Sequence, residues 1–189
     1  MQQQRKVTGV ILAGGAGRRV QHRDKGLIEW RGRPLVAHVV ARLQPQVDGM
    51  LISCNRNRAS YQAYVKTTVT DQRADYQGPL AGLEAATAHV EPGYLAVTSC
   101  DVPLLPGDLV SRLCTALAHG ANAAQVAYAH DGERAQYLCA VIDTRCLDTL
   151  REFLDSGQRA VHAWYASCGA VAVDFSDRPD CFTNVNHSD

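Results

Sequence analysis

The stretch Val7-Thr8-Gly9-Val10-Ile11-Leu12-Ala13-Gly14-Gly15-Ala16-Gly17-Arg18-Arg19 decides the fold. Its first seven residues read as a continuous apolar run rich in β-branched side chains, the pattern of a parallel strand covered by helices on both faces. Arg5 and Lys6 ahead of it faintly imitate an export signal. The run is only about seven residues long and Thr8-Gly9 interrupts it, so a buried strand is the better reading. Arg18-Arg19 is no twin-arginine signal, because Val-Gln-His-Arg-Asp follows in place of an apolar run. A strand that opens directly into adjacent glycines and arginines is a place where backbone N–H groups can approach an anion closely.

Outward from this stretch the pattern alternates. Leu27–Trp30 reads as a short strand closed by the Arg31-Gly32-Arg33 turn. Pro34 suits the first position of a helix whose apolar residues (Leu35, Val36, Val39, Val40, Leu43) keep helical spacing until Pro45. A strand is expected at 49–54, a short helix at 59–65, a strand at 67–70 and a helix at 79–90. A strand at 94–99 and a helix at 106–119, stopped by Gly120, follow. Strand, helix, strand, helix is the signature of an α/β fold with a doubly wound, mostly parallel sheet. The last third differs. Segments 123–129 and 136–142 flank the Asp131-Gly132 turn, helices are expected at 146–156 and 160–166, and a strand at 170–175. No linker, repeat or low-complexity tract appears, so residues 1–189 are expected to form one domain with an elaborated C-terminal edge. Ligands of open parallel sheets sit at the carboxyl ends of the strands. The candidates are then Gly14 to Lys25, Cys54-Asn55, Asp71 and Asp101.

Composition narrows the class. Apolar residues make up 46% and charged residues 20%, which excludes wholesale disorder. No apolar run reaches the ~20 residues of a membrane helix, so neither a membrane protein nor a membrane partner is expected. The seven cysteines are odd in number and form no Cys-x-x-Cys pair, which suggests small buried side chains in a reducing cytoplasm. Net charge is zero, yet residues 1–34 hold eight basic and two acidic residues. That is not the uniform basicity of a nucleic-acid binder; it fits a local anion site near the N-terminus.

Two familiar phosphate motifs fail against the glycine loop. No G-x-x-x-x-G-K-[ST] string exists. The dinucleotide fingerprint starts at Gly15 and Gly17 but meets Val20 at its third position, and Cys54-Asn55-Arg56 stands where an acid would follow the second strand. A plain tight turn is the bland alternative. Three arginines and a lysine within 18–25 weigh against it, since they repel one another without an anion.

Leu12-Ala13-Gly14-Gly15, Arg19 and Asp24-Lys25-Gly26 resemble the N-terminal signature of the molybdenum cofactor guanylyltransferases. Gly78-Pro79-Leu80-Ala81-Gly82, Cys100-Asp101-Val102-Pro103 and Phe182-Thr183-Asn184-Val185-Asn186 are similar to that family in the same order. So are His130–Arg134 and Val173–Asp177. The resemblance spans essentially the whole chain and implies a Rossmann-like nucleotidyltransferase fold. It implies a reaction in which GTP and molybdenum-bearing molybdopterin give the guanine dinucleotide cofactor and pyrophosphate, with Mg²⁺. It implies a cytoplasmic enzyme, a monomer or weak homo-oligomer, with molybdoenzymes or their chaperones as further partners.

The roles follow residue by residue from that resemblance. Leu12, Ala13, Gly14 and Gly15 would cradle the nucleotide, and Arg19 would steady the leaving pyrophosphate. Lys25, one of three lysines beside sixteen arginines, would neutralise phosphate oxygens as a flexible point charge. Asp101 would bind Mg²⁺, an oxygen-seeking ion, although an aspartate beside Val102-Pro103 also suits a turn cap. Asn186 would complete the metal or acceptor site; Asn184 and Asn186 equally suit turns. Asp71 would accept the N1–H and 2-amino protons that guanine offers side by side, with an Asx-turn as its plain alternative. Asn55 would lie near the nucleoside. Gly78, Gly82, Asn184, Arg134 and Arg159 are assigned to the acceptor side.

The chain departs from the family at Val20-Gln21-His22, where Met-Gly usually follows the arginine, and at Ser53, where asparagine is usual. It also stops soon after Asn186, where relatives continue into a terminal helix. Three rivals remain. A cytidylyltransferase on the same pterin usually carries Leu-Ala-Ala-Gly at the loop, so Gly14 favours guanine. A sugar-phosphate nucleotidyltransferase is ordinarily longer. A nucleotide-sensing partner of a molybdoenzyme would bind GTP without catalysis.

Overall fold

The computed structural model describes residues 5–14, 24–74, 77–119 and 124–185. Seven strands form one sheet in the order β5-β4-β1-β6-β8-β7-β9. These are β1 (Val7–Leu12), β4 (Gly49–Ser53), β5 (Thr67–Val69), β6 (Tyr94–Ser99), β7 (Val126–His130), β8 (Ala135–Asp143) and β9 (Ala170–Asp174). Two short strands, β2 (Glu29–Trp30) and β3 (Arg33–Pro34), pair antiparallel outside it. β1 lies parallel between β4 and β6, and β4 is parallel to β5. β8 runs against both β6 and β7, and β9 is parallel to β7, so β8 alone is reversed. The expected doubly wound, mostly parallel sheet is present, and the elaborated edge is the β7–β8 hairpin with β9 beside it.

Helices α1 (Leu35–Leu43), α2 (Arg58–Gln62) and α4 (Leu109–His119) cover one face, where Val36, Val39, Leu43, Tyr61, Leu109 and Leu113 pack on Ile11, Ile52 and Ala96. Helices α3 (Pro79–Thr87), α5 (Asp148–Asp155) and α6 (Val161–Cys168) cover the other, with Leu80, Leu83, Leu150, Leu154 and Trp164 against Val10, Leu51 and Val97. Alternate β1 residues feed the two clusters: Ile11 one, Val10 and Leu12 the other. This is why a continuous apolar run was needed there.

Boundaries moved by small amounts for local reasons. Residues 25–27 form a 3₁₀ turn before β2. Pro34 ends β3 and caps α1, so the helix begins one residue later than its proline suggests. The Arg31-Gly32 turn takes positive φ at both residues (49° and 74°), as a two-residue hairpin turn demands. α4 starts at Leu109, after a turn at Gly107-Asp108, and Gly120 lies outside the described residues. Five of the seven cysteines are buried, as the apolar context of most of them suggested. No helix among the described residues is long and apolar enough to cross a membrane.

Candidate active site

The carboxyl ends of β4, β1 and β6 are drawn together by backbone bonds just beyond their ladders. Ala13 N–H donates to Ser53 O (2.8 Å), Cys100 N–H to Leu12 O (3.1 Å) and Cys54 N–H to Val69 O (2.9 Å). Four of the sequence candidates therefore converge at one edge: Gly14 after β1, Asn55 after β4, Asp71 after β5 and Asp101 after β6.

Asn55 is the clamp of this edge. Its side-chain amide donates to Gly14 O (3.2 Å) and to Asp71 Oδ2 (2.8 Å), and its Oδ1 accepts from Asp71 N–H (2.9 Å). A Cβ on residue 14 would stand 3.1 Å from that amide nitrogen, so the clamp fits closely around a glycine. Among the described residues the other Asp71 oxygen, Oδ1, is buried without a hydrogen-bond partner, as is Ser53 Oγ. Burial raises the Asp71 carboxyl above its ordinary value, and the Asn55 hydrogen bond holds the shift back. Gly82 of α3 lies over both orphan atoms; a Cβ there would be 2.7 Å from Ser53 Oγ and 3.4 Å from Asp71 Oδ1.

Lys25 and Asp101 meet across the loop. Lys25 Nζ donates to Asp101 Oδ2, and the Ser99 hydroxyl donates to Asp101 Oδ1. Asp101 is 6% exposed and its ion-pair partner among the described residues is Lys25. Asp101 O accepts from Val185 N–H (3.0 Å), which brings the 182–185 segment to the same point. The triplet 24–26 is held from behind. Asp24 accepts from the Tyr61 hydroxyl and from Asn57 Nδ2 (3.1 Å). Burial pushes the thiols of Cys54 (to about 11) and Cys100 up, which removes both as nucleophiles near neutrality.

A lysine, two carboxylates and a glycine thus meet at the carboxyl edge of a doubly wound sheet. The chain matches the MobA-like NTP transferase domain over residues 9–170. A molybdenum cofactor guanylyltransferase from Shewanella halifaxensis is 42% identical over 181 residues, covering 96% of this chain and 90% of the relative. One from Shewanella sediminis is 40% identical over 181 residues, covering 96% and 91%. The chain belongs to the molybdenum cofactor guanylyltransferase family. It is accordingly a nucleotidyltransferase. Two solved structures share its fold. Molybdopterin-guanine dinucleotide biosynthesis protein A from Archaeoglobus fulgidus has a TM-score of 0.75 at 18% identity, covering 95% of this chain and 92% of that one. A nucleotidyl transferase from Methanothermobacter has a TM-score of 0.71 at 19% identity, covering 96% and 92%.

The remaining sites expected of a guanylyltransferase divide into three groups. Gly15, Arg19 and Asn186 lie outside the described residues. Gly78 caps α3 with φ of 86°, and beside it Gln77 accepts from Arg159, which also donates to Leu154 O (2.7 Å). Gly78 and Arg159 therefore do share a neighbourhood. Arg134 is exposed on the turn of the β7–β8 hairpin, beyond the last β6–β8 pair at Thr98 and Cys139. Sequence reasoning missed Ser99, Tyr61 and Asn57. Ser99 stands two residues before Asp101, as the last residue of β6, and that spacing could have revealed it.

Proposed function

We propose that this chain transfers GMP from GTP to the terminal phosphate of molybdenum-bearing molybdopterin and releases pyrophosphate. The observation that carries the reading is the meeting of Lys25 and Asp101 at the sheet edge that also bears Gly14, Asn55 and Asp71: a cation and a carboxylate at the point where a triphosphate would rest.

The chemistry asks little beyond positioning and charge. A phosphate oxygen of the acceptor attacks the α-phosphorus, a new P–O bond forms, and the bond to the β-phosphate oxygen breaks. The attacking oxygen is already anionic, so no general base is required. Catalysis is then alignment plus stabilisation of the spreading negative charge. Lys25 follows the α-phosphate oxygens, and Arg19 holds the departing pyrophosphate.

The donors at Asp101 are all oxygen, a carboxylate with the Ser99 hydroxyl beside it, and they suit a hard divalent cation. No group of three or more His, Cys, Asp or Glu residues able to hold a metal occurs among the described residues. That suits Mg²⁺, which is commonly held by one or two carboxylates plus phosphate and water. Asp101 and Asn186 would hold it, and when bound it supplies charge neutralisation to the phosphates.

Asp71, whose Oδ2 is held by Asn55, is assigned to the N1–H and 2-amino group of guanine. Gly78, Gly82, Asn184, Arg134 and Arg159 are assigned to the acceptor, and the reaction to the cytoplasm.

The test is incubation of the purified chain with molybdopterin, Mg²⁺ and GTP, CTP or ATP in turn, with pyrophosphate and dinucleotide measured. GTP alone should be consumed. Consumption of CTP with GTP untouched overturns the base assignment. GTP binding without pyrophosphate release replaces the enzyme with a sensor.

A further inference from the structure

Tyr61 lies 37 residues from Asp24 along the chain and is the fully buried residue of α2. Its ring belongs to the apolar cluster with Ile11, Ile52 and Cys54. Its hydroxyl does not stay apolar: it donates to Asp24 Oδ1. The other oxygen of the same carboxylate accepts from Asn57 Nδ2 at 3.1 Å, and Asn57 holds a left-handed conformation (φ 50°) as the N-cap of that helix. One short helix thus grips one carboxylate at both oxygens. Asp24 O, in turn, closes the 3₁₀ turn by accepting from Leu27 N–H at 3.0 Å.

Gly26 completes the grip from the other side. A Cβ there would stand 2.5 Å from the Tyr61 hydroxyl and 3.2 Å from two carbons of the ring. The backbone of residue 26 therefore rests directly on the tyrosine. Residues 24 and 26 are both fixed on Tyr61. The residue between them is Lys25, whose ammonium is directed away to Asp101.

We propose that Tyr61 is a positioning residue for the transferase reaction: its ring and hydroxyl lock the Asp24-Lys25-Gly26 turn so that Lys25 is aimed at Asp101. The catalytic part of this statement rests on the function proposed above; the aiming of Lys25 does not. Burial drives its pKa strongly upward, so it keeps its proton, and among the described residues it donates that proton to Asp24. A buried donor spent on the residue next to a catalytic lysine is a positional device. Small displacements of such groups are expensive, since a misplacement of about 1 Å costs up to about 10²-fold in rate.

The chain has three lysines, Lys6, Lys25 and Lys66, so reductive ¹³C-methylation gives three resolvable lysine signals. Lys25 is assigned by its loss in Lys25→Arg. Tyr61→Phe keeps the ring in the core and removes only the hydroxyl. Gly26→Ala pushes on the same contact from the opposite side. Thermal melting establishes that each variant is folded. The Lys25 signal should stand apart in the parent and move toward those of Lys6 and Lys66 in Tyr61→Phe. Turnover with GTP should fall tenfold or more in kcat, with KM for GTP changing about threefold or less. An unmoved Lys25 signal in both folded variants overturns the proposal, whatever turnover does. A moved Lys25 signal in a protein that turns over no GTP leaves the positioning role standing and removes the reaction assigned above.

Discussion

Both oxygens of Asp101 are engaged, one by Lys25 and one by Ser99, so its charge is held in a defined direction by groups that can be exchanged for a ligand. Asp101→Asn keeps the size and the Ser99 contact but loses the charge. Turnover should fall by 10²-fold or more, with melting within a few degrees of the parent, as pyrophosphate release and calorimetry would show. Parent-like turnover removes Asp101 from the reaction. Asp71 carries a different cost. Its folded pKa is raised, chiefly by burial. Below the unfolded value of about 3.9 both states are protonated and nothing is lost. Between that value and the raised folded one the unfolded chain ionises first, so stability falls as pH rises through this window. Asp71→Asn removes that loss, and its carbonyl can still accept from Asn55. The variant should gain stability over the parent between pH 4 and pH 7, measured by urea unfolding at each pH. A difference that stays flat with pH means the carboxyl carries no burial penalty.

At the scale of elements, the packing of α3 on β4 is set by one missing side chain. Gly82 sits in a helix, where glycine costs about 1 kcal/mol relative to alanine. It is tolerated because a Cβ would meet Ser53 Oγ at 2.7 Å and Leu12 Cδ2 at 3.3 Å. Gly82→Ala should lose about 1–3 kcal/mol by overpacking, against the helical gain. Combining it with Ser53→Ala removes the closer obstacle and should recover part of the loss, since the two sites share one contact. A double variant no more stable than Gly82→Ala alone would show that Leu12, not Ser53, sets the distance. The same elements show what the sequence could reveal. Each parallel strand is a local apolar run, so β1, β4 and β6 and the residues at their carboxyl ends could be read directly. The hairpin around Asp131-Gly132 was visible from its turn chemistry. Tyr61 gripping Asp24 and Asn55 clamping Gly14 were not. They join residues 37 and 41 apart through side chains that carry no spacing rule. Tyr61 reads as one more core aromatic until its hydroxyl is traced.

For the whole molecule, the candidate site is an assembly of strand ends. Gly14, Asn55, Asp71 and Asp101 come from four parallel strands, and the α2 clamp and the 182–185 segment brace the rim from outside the sheet. Asp101 is paired to an internal cation, so a divalent ion bound at Asp101 would have to displace Lys25 with no phosphate to receive it. A metal–triphosphate complex would supply that receiver, and Lys25 would then face a phosphate oxygen. Mg²⁺ alone at millimolar concentration should therefore leave the melting temperature within about 1 °C of the metal-free protein. Mg²⁺ with GTP at 100 times its Kd should stabilise the folded state by about 2.7 kcal/mol. For a chain of this size that is a rise of roughly 5–10 °C. Lys25→Ala leaves Asp101 without its cation, so the variant should respond to Mg²⁺ alone where the parent does not. If scanning calorimetry shows equal shifts with Mg²⁺ in both proteins, the ion does not compete with Lys25 and binds away from Asp101.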